Sequence, residues 1–166
     1  INTFAFCANK SNQELLNYLK DENNWELIEA RNDNIRVFEK DIPKMKLNAL
    51  KVEKIIEIDK SDILKTVMDV ENYSDVMNNE SMVSYIIGKK NSDIYAYNNF
   101  SIPLPFVSNR HYFFKIKQIS DNEINWTLVS KEEANSSYEL KSILKKYNDA
   151  VYISYGAGLW KIDQIS

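Results

Sequence analysis

The chain has little of what most reactive sites are built from. Among 166 residues there is one cysteine, Cys7, and one histidine, His111. A lone cysteine excludes an internal disulfide framework, and the two residues together cannot supply a Cys/His zinc site or a two-histidine metal centre. Three glycines, Gly88, Gly156 and Gly158, leave no glycine-rich phosphate loop. No EF-hand-like run of spaced Asp and Asn occurs, so neither a cofactor nor a metal is expected. No apolar run approaches the roughly 20 residues of a membrane-spanning helix. Lysines and acids are interleaved to a formal net charge of −3, without the basic stripe that a phosphate backbone attracts, so nucleic acid is not an expected partner.

Aromatic residues are plentiful instead, at 12% with ten tyrosines, and 44% of the chain is hydrophobic, enough for one domain to bury a core unaided. Residues 12–19 show helical spacing through Leu15, Leu16 and Leu19. Residues 25–30 and 35–40 read as a hairpin around the polar turn Arg31-Asn32-Asp33-Asn34. Residues 47–58 are long enough for a bent strand, with Leu50, Val52, Ile56 and Ile58 on one face and Lys54 at a solvated position. Ser61 is the expected N-cap of a helix carrying Ile63, Leu64, Val67 and Met68, and a short helix at 73–77 follows. Period-two alternation resumes over 82–88, 94–102, 110–119 and 124–129, which makes an antiparallel meander. Residues 131–137 read as a polar surface loop, with a short helix near 140–144. Gly156 and Gly158 mark a turn, or a bulge in one long strand, between 150–155 and 159–165.

Pro103-Leu104-Pro105 interrupts this meander. Proline has no amide donor and fixes φ, so neither residue can sit inside a paired ladder. The strand after it places Arg110, Tyr112, Phe114 and Ile116 on one face and His111, Phe113, Lys115 and Lys117 on the other. A Pro-x-Pro turn followed by Arg, with Trp25 upstream and helices after a long third strand, resembles the START domain, a lipid-binding family. The family pattern continues Arg-Asp where this chain reads Arg110-His111, so no role of that acid carries over. The resemblance runs from Trp25 onward and implies an α+β helix-grip fold, a curved antiparallel sheet with an inserted helical pair. In the family a further strand and a long C-terminal helix roof a hydrophobic cavity, and this chain ends without them. Residues 11–166 are therefore expected to form a START-like lipid-binding domain that is incomplete at its C-terminus. Residues 1–10 read either as the remnant of an apolar export signal or as an N-terminal tail. Export would place a bacterial protein in the periplasm or cell envelope, and the cytoplasm is the other location.

The apolar strand face collects Ala96, Phe100, Tyr112, Phe114, Ile116, Ile124, Trp126, Leu128, Trp160 and Ile162. Residue pattern alone reads this stripe as core; the resemblance makes it the wall of a lipid site. Burying about a dozen methylenes of a lipid tail there would supply on the order of 10 kcal/mol before ordering costs. Phe100, Tyr112, Phe114, Trp126 and Trp160 are the expected apolar contacts, with Asn98 and Arg110 as head-group contacts. An ion pair, or capping of the proline turn, is the competing role for Arg110. His111 shares parity with Lys115 and Lys117 and is expected to face solvent, and Tyr95 and Tyr97 are expected to cover the same outer side. The function so implied is non-catalytic binding and transport or presentation of a lipid or other hydrophobic small molecule. Two other classes stay open. One is an enzyme similar to polyketide cyclases and aromatases, which needs an inward acid/base cluster. The other is a protein-interaction module that uses the open groove, including homodimerisation. The apolar tip of Leu104, Phe106 and Val107 reads either as tucked onto neighbouring loops or as a point of transient membrane contact.

Overall fold

The computed structural model describes residues 11–102, 104 and 106–165. The N-terminal segment 1–10 and the two prolines of the expected turn, Pro103 and Pro105, lie outside the described residues. Helix α1 spans Asn12–Lys20 and starts on a reciprocal capping box, in which Glu14 N donates to Ser11 Oγ and Ser11 N donates to Glu14 Oε2. Strands β1 (Glu26–Ala30), β2 (Ile35–Lys40) and β3 (Ala49–Lys54) form a three-stranded antiparallel sheet. The third strand is shorter than residues 47–58. Its ladder ends where Ile35, the first residue of β2, pairs with Lys54, so Ile55, Ile56 and Ile58 have no partner strand and lie exposed.

Helix α2 (Lys60–Met68) is capped by Asp59, whose carboxylate accepts from Ser61 N at 2.7 Å, so the cap precedes Ser61 by two residues. A 3₁₀ turn at Val70–Asn72 and helix α3 (Tyr73–Val76) complete the inserted helical segment. Strands β4 (Met82–Lys90), β5 (Asp93–Phe100), β6 (Arg110–Gln118) and β7 (Glu123–Leu128) follow as the expected meander. Residues 131–137 are not a loop. Ser130 Oγ accepts from Glu133 N and starts helix α4 (Lys131–Ser136), and Ser137 caps helix α5 (Tyr138–Lys146), which is longer than residues 140–144. Two strands with different neighbours lie here, Gly156 just before the second and Gly158 within it. Strand β8 (Val151–Tyr152) runs parallel to the start of β6, and β9 (Ala157–Lys161) pairs antiparallel with β7. The large sheet thus runs β4-β5-β6-β7-β9, with β8 beside β6 where β7 stops. The architecture is α+β and consistent with the helix-grip fold.

Both faces of the large sheet are covered. On the inner face Leu64, Val67 and Val70 pack on Ala96, Phe114, Ile116 and Ile124. On the outer face Ala134 and Leu140, with Ile143 and Leu144 at their flank, pack on Tyr97 and Phe113. His111 and Tyr97 were expected on a solvated side, yet His111 is 2% exposed and Tyr97 is fully buried. Helix α4, polar enough in sequence to pass for a loop, and helix α5 are the reason. Each large apolar side chain so buried contributes about 1.5–3 kcal/mol. Helix α1 lies against β7 and β9 and bridges the two sheets: Leu15 packs with Ile42 and Ala49 on one side and with Tyr155 and Ala157 on the other. Asn12 locks it in place, with Nδ2 donating to Leu128 O at 2.6 Å and Ser154 O at 3.0 Å, while Gly156 N donates to its Oδ1 at 3.0 Å.

Candidate functional site on the inner face of the large sheet

Strand register decides which side chains share this face, because directly opposed residues of an antiparallel pair point the same way. Phe100 opposes Arg110, Asn98 opposes Tyr112, and Ala96 opposes Phe114. Ile116 opposes Trp126, and Ile124 opposes Trp160. All seven expected site residues therefore lie on the inner face. They divide into a buried part and an open part.

Asn98 and Phe114 belong to the buried part. The Asn98 amide sits between Tyr112 Oη, to which Nδ2 donates at 3.1 Å, and Ser84 Oγ, 2.6 Å from Oδ1. Ser84 Oγ also lies 2.7 Å from Val70 O, so one hydroxyl proton is shared between Asn98 and the 3₁₀ turn. Asn98 thus braces β4, β5 and β6 against the helical segment, and its polar atoms are engaged. The Phe114 ring stacks on Tyr73 at 6.4 Å between centroids and 13° between planes. Tyr73 in turn donates its hydroxyl to Val67 O at 2.5 Å, and burial pushes its pKa up to about 12. Tyr73 and Ser84 are elements of this site that the sequence did not single out. A single Tyr or Ser in a mixed segment carries no signal of its own, and only the packing of helix on strand brings them in.

Phe100, Tyr112, Trp126 and Arg110 are partly open, and Trp160 is 50% exposed at the β9 end of the face. Phe100 and Tyr112 meet edge to face at 6.2 Å, and Tyr112 tilts against Phe114 at 5.8 Å. Trp126 lies flat across β9, where Gly158 opposes it. A Cβ on Gly158 would come within 2.5 Å of the indole ring, so only glycine admits this placement. Two polar groups have capacity to spare. The Tyr112 hydroxyl accepts from Asn98, and its own proton has no acceptor among the described residues. Arg110 donates from one terminal nitrogen to Ser108 O at 2.5 Å and Asn109 O at 3.4 Å, and it makes no ion pair among the described residues. It caps the loop at the rim of the sheet, with Nε and the second terminal nitrogen unengaged there.

The outer face holds the only imidazole. Tyr97 Oη lies within hydrogen-bond distance of His111 Nδ1, at 3.2 Å, and accepts from Asn99 Nδ2 at 3.3 Å. Burial lowers the His111 pKa, with Asp149 acting weakly in the opposite direction, and burial raises that of Tyr97. Tyr147 and Tyr152 close over the ring. The sheet backbone separates this cluster from Tyr112 and Asn98.

Open hollows also occur among the described residues. One of about 470 Å³ lies beside α3 and β4, and one of about 350 Å³ lies between α1 and the outer side of β6 and β7. Of the seven expected residues only Trp126 touches either.

The arrangement of strands and helices has a counterpart among solved structures. A STAR-related lipid transfer protein from Xanthomonas axonopodis, solved by crystallography as a fragment, superposes with a TM-score of 0.61 over 86% of this chain and 75% of that one, at 17% identity. The fold is START-like. At that identity the likeness concerns the fold alone. No protein-family model and no curated protein matches the chain. The START-like core places α2 and α3 over the inner face, and no helix among the described residues is long and apolar enough to cross a membrane.

Proposed function

We propose that this protein binds a lipid or another hydrophobic small molecule along the inner face of the large sheet and carries or presents it without chemical change. The observation that supports this most is the open strip of Phe100, Tyr112, Trp126 and Trp160 beside the buried cluster, with an unused hydroxyl proton at Tyr112 and unused guanidinium donors at Arg110. An apolar wall with a few convergent polar groups is how hydrophobic ligands are held and oriented. The START-like fold, shared with a protein described as a lipid transfer protein, supports the same reading. The acyl portion would lie against Trp126 and Trp160, and an anionic or carbonyl head would meet Arg110 and Tyr112. An enzymatic role has less support, since the one imidazole faces the opposite side of the sheet.

A fluorescent fatty-acid probe tests the assignment by energy transfer from Trp126 and Trp160. Binding should weaken about tenfold in Tyr112→Phe and in Arg110→Ala, as expected for one lost polar contact each. Arg110→Ala should leave the melting temperature unchanged, whereas Tyr112→Phe also removes the acceptor of the buried Asn98 Nδ2 and should lower it by a few degrees. Equal affinity in both variants and the native protein would remove these residues from the site. An unfolded Arg110→Ala would assign that side chain to the sheet rim alone.

A further inference from the structure

The small sheet carries a surface that the inner-face site does not use. The β2–β3 register sets Ile35, Val37, Glu39, Leu50, Val52 and Lys54 on one face, continued by Glu26 and Glu29 of β1, while Lys40 and Ala49 on the other are buried beneath α1. Among the described residues nothing covers the first face at β3. Leu50 and Val52 are 65% and 63% exposed, and Leu47, in the loop just before the strand, is 78% exposed. Solvent exposure of three neighbouring aliphatic side chains on one hairpin calls for a partner.

The same stretch is locally cationic. Residues 44–54 hold Lys44, Lys46, Lys51 and Lys54 against the single acid Glu53, in a chain whose net charge is −3. Lys51 is occupied by Glu22 and Glu53, and Glu53 also pairs with Arg36. Lys44, Lys46 and Lys54 are exposed and make no ion pair among the described residues. The aliphatic side chains and free ammonium groups therefore gather at β3 and the loop before it, the edge of the sheet, while the carboxylates of this face, Glu26, Glu29 and Glu39, lie toward β1 and β2. A protein partner is usually gripped by Trp, Tyr or Arg anchors in a pocket, and this face offers none. Dispersed lysines beside aliphatic side chains match a lipid headgroup layer, where point charges meet phosphates and short apolar groups enter the acyl boundary.

We propose that the β2–β3 hairpin docks on the surface of an anionic lipid bilayer, through Lys44, Lys46 and Lys54 and the side chains of Leu47, Leu50 and Val52. This deepens the carrier reading above, since a carrier must meet a bilayer, but it is tested without any carried ligand. Purified protein is floated with vesicles of phosphatidylcholine alone and of phosphatidylcholine mixed with phosphatidylglycerol. Binding is expected to the mixed vesicles only, and to fade as salt rises. The triple variant Lys44→Glu, Lys46→Glu, Lys54→Glu should weaken partition about 100-fold or more, on the scale of surface lysines at an anionic leaflet. Leu47→Ser with Leu50→Ser should weaken it about tenfold. All five positions are exposed, and circular dichroism confirms that each variant is folded. Any of three results overturns the proposal: equal binding to neutral vesicles, native-like binding by the triple variant, or loss of binding in Phe106→Asp alone. Retention of lipid by the purified protein is scored separately, so a failed docking surface and a failed ligand site give different patterns.

Discussion

Gly158→Ala is the smallest change that probes how the inner face is assembled. The added Cβ would lie 2.5 Å from Trp126 Cζ2, 2.6 Å from Cε2 and 2.7 Å from Nε1. Carbon atoms in contact prefer about 3.5–4.0 Å, so the indole must move by roughly 1 Å. Its room is limited, because Ile116 opposes Trp126 on the other side and the partly buried ring packs against the inner core. Overpacking of this kind costs about 1–3 kcal/mol. Against it stands the gain from replacing a strand glycine, about 0.5–1 kcal/mol, and neither this glycine nor Gly88 has a positive φ that alanine would strain. The clash wins, with a net loss of about 1–2 kcal/mol. In a chain of this length that lowers the melting temperature by about 3–6 °C. Gly88→Ala is the internal control, because a Cβ there meets nothing within 4 Å, and it should leave the melting temperature unchanged or slightly raised. Thermal unfolding followed by circular dichroism, with tryptophan emission recorded alongside, reads both variants. Equal melting temperatures would show that Trp126 is free to move and that the wall of the proposed site is not held by this contact.

Two further substitutions test the frame around the site. Lys40 is 1% exposed and donates to Tyr18 O at 3.0 Å and Asp21 O at 2.7 Å, capping the C-terminal carbonyls of α1 from β2. Lys40→Met keeps the stem but removes the donors, and should cost about 2–4 kcal/mol in urea unfolding; an unchanged midpoint would contradict the cap. His111 has a folded-state pKa below its ordinary value of about 6.5, so the unfolded chain binds the extra proton first as pH falls. Its contribution is therefore complete above about pH 6.5 and is lost as pH drops from there toward the lowered folded value. His111→Gln should flatten that part of the stability profile, and an identical slope in both proteins would refute the buried neutral imidazole.

Much of this fold could be read from the chain because most of its signals are local. The helical spacing of Leu15, Leu16 and Leu19, the alternation of Arg110 to Gln118, and the apolar parity of Ala96, Phe114 and Ile124 each need only neighbours in sequence. The same parity gathered all seven inner-face residues. What escaped was set by partners distant in the chain. Residues 47–58 have strand-like composition throughout, but β2 supplies ladder partners only as far as Lys54. Lys131 to Ser136 looked like loop because only Ala134 on that helix is buried, and its reward comes from Tyr97 and Phe113, far away in sequence. With α4 unrecognised and α5 read only as a short helix near 140–144, the outer face of β6 looked wet and His111 looked exposed. Asn98 and Phe114 were placed on the correct face, but parity does not tell a buried brace from an open wall; Tyr73 and Ser84 decide that.

Native mass spectrometry with lipid extraction, on protein purified from its own host, tests the central claim most directly. One hydrophobic molecule per chain, lost in parallel with probe binding in Tyr112→Phe and Arg110→Ala, is the predicted result. Protein that arrives empty and takes up no lipid from vesicles would contradict it.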